Sequence, residues 1–189
     1  MPDACPGCGT PVAHDEGDAA YYCPNRACPT KLARLIEHFT SRGALDIEGF
    51  GEERSAMLVD RGFVTSLADL YDLPDKRDAL LEVDKIGAKT LDLMFAELEK
   101  SKQQPLHRLL IALGIRHVGS ETARALARHF GSMQALRHAA LEEIPAGESP
   151  GSFFEETFRL KRALARARGD LWRRRSLLEM LADGRRSVP

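Results

Sequence analysis

The chain has 189 residues, a formal net charge of −1 and a hydrophobic fraction of 43 %. This length suits one or two small domains rather than a large multi-domain enzyme, and the composition predicts a folded core. No apolar run approaches about 18 residues, which argues against a membrane-spanning helix. Charge is uneven, with a net of +5 over residues 152–189 and −6 over residues 1–151. Binding to nucleic acid would therefore depend on local geometry rather than on bulk charge.

The four cysteines lie within the first 28 residues, as Cys5-x2-Cys8 and Cys23-x4-Cys28. Tight turns at these spacings bring two thiolates to one ion, and two such turns give the tetrahedral sulfur site that suits Zn²⁺. Four protein ligands leave no open coordination position, so we expect a structural ion. Residues 1–30 have little apolar sequence, and zinc would contribute on the order of 10 kcal/mol to folding them.

Two disulfides, or four unconnected thiols, are the alternatives to a metal site, and the paired spacing favours the metal. His14 lies between the two pairs and is an alternative ligand, although four thiolates already complete a tetrahedron. Residues 1–8 do not form a basic-then-apolar leader, so we expect no signal peptide. Clustered cysteines without a leader predict a reducing, cytoplasmic location.

Three glycine-containing turns, at residues 47–51, 83–87 and 115–119, interrupt a helical sequence that starts near residue 30. Their last glycines are 36 and 32 residues apart, and a period in this range indicates a repeated supersecondary unit. Apolar residues recur at helical spacing around the second and third turns, so each unit is predicted to be helix, tight turn, helix. The stripes are Leu91, Met94, Phe95 and Leu98; Leu106, Leu109, Leu110 and Leu113; and Ala123, Leu126, Ala127 and Phe130. Ser120 is the expected start of the last of these helices and Gly131 its expected left-handed end.

Such turns suit a phosphate backbone. Glycine permits a sharp turn and the close approach of another backbone, and the amides of the following helix N-terminus form an anion nest. Binding of this kind reads no bases and is sensitive to salt. A single turn is more often a plain connection between helices, and charged residues beside it are more often an ordinary polar surface. Three such turns at near-constant spacing favour DNA binding. The predicted DNA contacts are Gly49, Gly51, Lys85, Gly87, Lys89, Arg116, His117 and Gly119.

A four-cysteine finger that leads into helix–hairpin–helix units resembles the C-terminal part of bacterial NAD-dependent DNA ligases. Residues 5–9, 23–29, 41–51, 113–119 and 123–127 carry the resemblance, which covers roughly residues 3–145. It implies a mainly α fold: a four-cysteine zinc finger in residues 1–30, a helix–hairpin–helix DNA-binding domain in residues 31–151 and a basic divergent tail in residues 152–189. It also implies sequence-independent binding of nicked duplex DNA as the clamp module of a ligase. That role belongs to DNA replication and repair, at the nucleoid of the bacterial cytoplasm.

The resemblance places the ligation chemistry elsewhere. The family forms its enzyme–adenylate from NAD on the lysine of a Lys-x-Asp-Gly motif, and this sequence contains no such motif. We therefore expect a fragment that is inactive alone and needs NAD only through the missing adenylation domain. A separate adenylation-domain fragment as a partner is the alternative. A fourth hairpin is expected at residues 147–151, but it is degenerate because Ser149 replaces the inner glycine and Pro150 removes an amide.

Several alternatives stay open on sequence alone. Residues 152–189 fit a basic helix on DNA, a solvated tail or a frame-shifted gene end. The chain also fits nick joining in trans with an adenylation half, another zinc-finger and helix–hairpin–helix protein of repair or recombination, or a helical protein-interaction domain. A metal-nuclease site is disfavoured, because the acids between Asp46 and Glu53 cluster at a helix start, where acids balance the helix dipole.

Overall fold

The computed structural model describes residues 2–14, 21–25, 27–84, 86–115 and 118–138. These ranges contain one two-stranded antiparallel sheet and seven α-helices, which confirms a mainly α fold. The strands are β1 (Ala13–His14) and β2 (Tyr21–Tyr22), and the helices are α1 (Pro29–Thr40), α2 (Glu52–Asp60), α3 (Arg77–Leu81), α4 (Ala88–Ser101), α5 (Leu106–Ala112), α6 (Ser120–Phe130) and α7 (Met133–His138). Two short 3-10 helices, Ala68–Leu70 and Leu73–Lys76, connect α2 to α3. Within the described ranges, no helix has both the length and the apolar character needed to cross a bilayer.

Each of the three predicted turns joins two helices, giving the hairpins α1–α2, α3–α4 and α5–α6. The second and third turns close in the same way, because the amide of their last apolar residue donates to a carbonyl three residues earlier. Ile86 donates to Val83 at 3.2 Å, and Val118 donates to Ile115 at 3.0 Å. The first turn is longer and includes Asp46 in a left-handed conformation with φ of 55°.

The amphipathic stripes predicted from the sequence face a common core. Leu91, Met94 and Leu98 of α4 are buried, as are Leu109 and Leu110 of α5. Ala123 and Leu126 of α6 are also buried, and Phe130 at the end of α6 is half-buried. Since residues from all three hairpins contribute to one cluster, burial of apolar surface holds the hairpins together.

Both ends of α6 test the predicted caps. Gly131 has φ of 66°, as the predicted left-handed end requires. The helix begins at Ser120, but the capping position is Gly119 and no side chain caps the helix. Lys85, Arg116, His117, the degenerate fourth hairpin and the basic tail lie outside the described residues.

Candidate zinc centre and nucleic-acid interface

The structure brings the sulfur atoms of all four cysteines together, within 4.8 Å of one another. The Sγ atoms of Cys5 and Cys28 are 3.8 Å apart, and those of Cys8 and Cys23 are 3.6 Å apart. A tetrahedral zinc ion with Zn–S bonds of about 2.3 Å holds its sulfurs about 3.8 Å apart. The four positions therefore fit a closed, structural zinc ion.

The first pair of cysteines is set by a tight turn. The amide of Cys5 donates to the carbonyl of Thr10 at 2.8 Å, and the amide of Gly9 donates back to the carbonyl of Cys5 at 2.8 Å. Gly9 has φ of 69°, a left-handed conformation that favours glycine. This turn places Cys5 and Cys8 on the same side of the chain, as their spacing predicts.

The second pair of cysteines is joined to the helical domain. Cys28 is buried and occupies the position before α1, where the positive end of the helix dipole favours a thiolate. Pro29 starts the helix, and the Lys31 ammonium group donates to the carbonyl of Cys23 at 3.3 Å. Cys28 therefore directly precedes the first residue of α1, which is the first helix of the first hairpin.

The thiols differ in their local electrostatics. A hydrogen bond with the Thr10 hydroxyl group lowers the pKa of Cys8 to about 6. Burial raises the pKa of Cys23 to about 11. A bound cation stabilises the thiolate form of the cysteines, because its positive charge offsets the negative charges of the clustered sulfur atoms.

His14 is not among the clustered ligands. Its ring stacks on that of Tyr21, with the centroids 4.6 Å apart, across the β1–β2 pair. The alternative in which His14 is a ligand is therefore wrong for this arrangement, and His14 belongs instead to the short hairpin between the two cysteine pairs.

The last glycine of each turn occupies the same structural position. Gly51, Gly87 and Gly119 each precede a helix directly, and the carbonyl of each accepts from the amide four residues later. All three are exposed, and no side chain caps the helices that follow. The amides of these first helical turns are thus left without a side-chain acceptor.

These three glycines do not need the conformational freedom of glycine. Their φ values are −77°, −99° and −82°, which any residue adopts. A Cβ added to any of them would meet no atom within 4 Å. The expectation that they make the turn sharp is therefore wrong, because their backbones are extended.

Gly49 has a different role. Its φ is 99°, and an added Cβ would lie 2.6 Å from Cγ of Met94 in the second hairpin. Its carbonyl accepts from the Arg54 guanidinium group of α2. Gly49 is thus required by the packing of the protein itself. The sequence did not point to Arg54, although an arginine five residues after a turn glycine can reach back over a helix start.

The three helix starts also differ in charge. Helix α4 has no acidic residue in its first turn, and Lys89 there is exposed and forms no ion pair with a described residue. Helix α2 begins with Glu52 and Glu53, and Glu52 pairs with Arg34 at 2.7 Å. Helix α6 also has an acidic residue, Glu121, in its first turn. The start of α4 is therefore the most favourable of the three for an anion.

Comparison with known proteins bears on both sites. The model of the NAD-dependent DNA ligase C4 zinc finger domain matches residues 4–29, and that of the helix-hairpin-helix motif matches residues 108–148. A DNA ligase of Symbiobacterium thermophilum is 48 % identical over 146 residues, which cover 77 % of this chain and 22 % of that protein. A DNA ligase of Roseiflexus sp. is 47 % identical over 152 residues, which cover 80 % of this chain and 21 % of that protein. The chain thus spans about a fifth of the length of these curated relatives.

These matches fit a C-terminal part of an NAD-dependent DNA ligase. The resemblance that the sequence motifs suggested is therefore confirmed. The ligase zinc-finger match and the four clustered cysteines also confirm the prediction of structural zinc. The helix–hairpin–helix match and the ligase relatives support DNA binding by this chain.

Proposed function

We propose that this chain binds duplex DNA through main-chain amides, independently of base sequence, as the clamp module of an NAD-dependent DNA ligase. One observation carries the proposal: three exposed, uncapped helix starts are each preceded by a glycine that the fold itself does not require. These are Gly51, Gly87 and Gly119.

The choice of glycine at these positions supports an external ligand. Asp, Asn or Ser would cap the three helices better than glycine does. The φ values of the three glycines and the open space around them would allow any of these residue types. A phosphate group that approaches the first-turn amides needs the space a side chain would occupy. Contact with phosphates alone positions a protein on duplex DNA without reading the bases.

The remaining predictions follow this role. We propose the division into a zinc finger (1–30), a DNA-binding domain (31–151) and a basic tail (152–189). We also propose that Gly49, Lys85, Arg116 and His117 lie in or beside the phosphate-facing turns, with Gly49 supporting them through its packing on Met94. The substrate would be nicked duplex DNA at the nucleoid of the bacterial cytoplasm.

The zinc ion has a structural part in this role. Cys5, Cys8, Cys23 and Cys28 would hold it, and it would fix the finger to the start of α1. NAD enters only through an adenylation domain, which we propose as a separate partner. Mixing the two polypeptides with nicked DNA and NAD would give joined product, and no joining in the mixture would contradict the partnership.

Substitution of Gly87 tests DNA binding. Gly87→Asp adds a helix-capping carboxylate, so α4 keeps its stability while the anion site gains a negative charge. We expect the affinity of the zinc-loaded chain for an unnicked duplex to fall about tenfold, since a nearby like charge costs about 1 kcal/mol or more. Gly87→Asn has a similar size and capping ability without the charge, so it should lower affinity by a smaller factor.

Ala96→Glu is the matched control. Ala96 is exposed on the same helix, nine residues after Gly87, which places it about 13 Å further along the helix axis. The affinity of Ala96→Glu should stay within about twofold of the wild type, because exposed charges more than about 8 Å apart are largely screened at physiological salt. Equal losses for Gly87→Asp and Ala96→Glu, or binding that does not weaken with salt, would contradict the proposal.

A further inference from the structure

Helix α5, which starts the third hairpin, also contacts the first hairpin. The Arg108 guanidinium group donates to the carbonyl of Arg42, in the turn between α1 and α2. A second nitrogen of the same group donates to Oε1 of Gln104 at 3.3 Å, in the connection just before α5. Because Gln104 accepts a hydrogen bond from one nitrogen of the planar guanidinium group, the other nitrogen is directed towards the first turn.

Two further contacts join the same elements. Nε2 of His38, near the end of α1, is 2.8 Å from the carbonyl oxygen of Ile111 in α5. Gly114, just after α5, has φ of 59°, and a Cβ there would lie 3.4 Å from Cδ1 of Leu35 and 3.6 Å from the His38 ring. The end of α5 therefore packs closely on α1, while its start is held to the first turn through Arg108.

We infer that Arg108 is a positioning residue that fixes the first hairpin against the third, so that the starts of α2 and α6, at Gly51 and Gly119, engage one duplex together. This inference rests on the proposed function. Arg108 is half-buried and its carbonyl partner belongs to another hairpin, so its contact sets the orientation of the first turn. Two sites held in one body add to affinity only when their geometry permits simultaneous contact.

A double-mutant cycle distinguishes positioning from direct contact with phosphate. The first change, Gly51→Asp, should lower the duplex affinity of the zinc-loaded full chain about tenfold, because it blocks the first turn. The second change, Arg108→Met, keeps an unbranched apolar stem but removes the guanidinium group and both of its hydrogen bonds. In the Arg108→Met background the core still joins the hairpins, but the first turn loses the hydrogen bond that orients it, so we expect Gly51→Asp to cost less than about twofold.

Arg61→Met is the matched control. Arg61 is exposed at the end of α2 and its side chain makes no hydrogen bond or ion pair with a described residue, so this change removes the same charge without releasing the hairpin. Gly51→Asp should keep its full effect in that background. Should Arg108→Met fail to fold by circular dichroism, His38→Ala removes the other polar contact and is expected to give the same reduced effect.

The outcomes separate the two proposals. If Gly51→Asp lowers affinity by the same factor in the wild-type, Arg108→Met and His38→Ala backgrounds, the positioning role is wrong, and any loss from Arg108→Met alone is a direct contact with phosphate. If Gly51→Asp has no effect in the wild type, the proposed binding through the first turn fails instead.

Discussion

The zinc finger and the helical hairpins are stabilised by different forces. Before Ala33, Cys28 is the one buried residue in the part of the chain that the structure describes, whereas large apolar side chains fill the core from Ile36 to Leu136. The finger also has only two residues in each strand of its sheet. A two-stranded hairpin of this size is at best marginally stable without other support.

This difference indicates what each region contributes. The finger depends on the metal because its chain buries too little apolar surface to offset the entropy of ordering it. The hairpins depend on their common core, and among the described residues the cysteine cluster is the one group that could hold a metal ion. The two regions meet where Cys28 precedes α1, so the finger can fix the entry into the first hairpin without sharing its core.

Removal of zinc should have the largest effect. We expect a strong chelator to unfold residues 2–28, since structural zinc contributes on the order of 10 kcal/mol in small zinc-dependent folds. The hairpins should keep their helical structure. Hydrogen exchange followed by mass spectrometry would show full loss of protection in finger peptides, and loss in α1 limited to its first turn.

Cys8→Ser provides the control, because it removes one ligand without any chelator in solution. It should reproduce the loss of protection in the finger at neutral pH. Loss of protection across α4 in either experiment would contradict the independence of the two regions, and unchanged protection of the finger without metal would contradict the zinc site.

The second largest effect should come from the core of the hairpins. Leu91 and Leu93 are two residues apart on α4, but Leu91 is fully buried and Leu93 is 62 % exposed. Leu91→Ala should lower the free energy of unfolding by about 2–5 kcal/mol, through lost burial and the cavity left behind. Leu93→Ala should change it by less than about 0.5 kcal/mol.

Chemical denaturation of the zinc-loaded chain measures both leucine variants. Zinc affinity should stay unchanged in each, because neither side chain belongs to the finger. A similar loss of stability for Leu91→Ala and Leu93→Ala would contradict the core as described. A large fall in zinc affinity for Leu91→Ala would show that the two regions share their stability.

Much of this organisation could be predicted from local sequence patterns. The spacing of the four cysteines predicted one sulfur cluster, because short loops limit how far paired thiols can separate. The helical periodicity of residues such as Leu91, Met94 and Leu98 predicted the buried faces, since the spacing of apolar residues along the sequence determines which side of a helix is apolar. The repeat of the glycine turns predicted three hairpins.

The role of each glycine could not be predicted, because it depends on contacts between distant parts of the chain. Gly49 and Gly51 are two residues apart, yet one packs against Met94 of the second hairpin and the other faces open space. The link from Arg108 to the carbonyl of Arg42 joins residues 66 positions apart and has no sequence signature. Pairing of hairpins is a tertiary property, which short-range patterns do not determine.

Gly7 offers a smaller test of how the finger meets the helices. A Cβ on Gly7 would lie 2.0 Å from Oγ1 and 2.7 Å from Cβ of Thr30, in the first turn of α1. Gly7→Ala should therefore shift the first cysteine turn away from α1, at a cost of about 1–3 kcal/mol. Competition with a chromophoric chelator would detect this as weaker zinc binding.

Gly43→Ala is the control for this change, because a Cβ on Gly43 meets nothing within 4 Å. It should leave zinc affinity unchanged. Thr30→Ala in the Gly7→Ala background should restore part of the affinity, because it removes the nearer of the two clashing atoms. Normal zinc binding by Gly7→Ala alone would show that the finger does not pack on α1 as described.

The smallest effect concerns Asp69, in the connection between the first two hairpins. Its carboxylate accepts hydrogen bonds from the amides and hydroxyl groups of Thr65 and Ser66, at 2.7–3.0 Å. Burial raises the pKa of Asp69, but these four hydrogen bonds together outweigh burial and lower it. A lowered folded-state pKa stabilises the fold above the unfolded value of about 3.9, and this stabilisation is lost as the pH falls through the folded value.

Asp69→Asn should therefore cost about 1 kcal/mol at neutral pH, because an uncharged amide oxygen accepts hydrogen bonds less strongly than a carboxylate and the amide nitrogen does not accept them. The difference from the wild type should shrink as the pH falls below about 4, where the unfolded chain takes up the proton. Asp75→Asn, on an exposed residue of the same connection, is the control and should change the free energy of unfolding by less than about 0.5 kcal/mol at neutral pH. Urea denaturation of the helical core between neutral and acidic pH measures this. A constant difference would mean that the carboxylate acts through its shape and not through its charge.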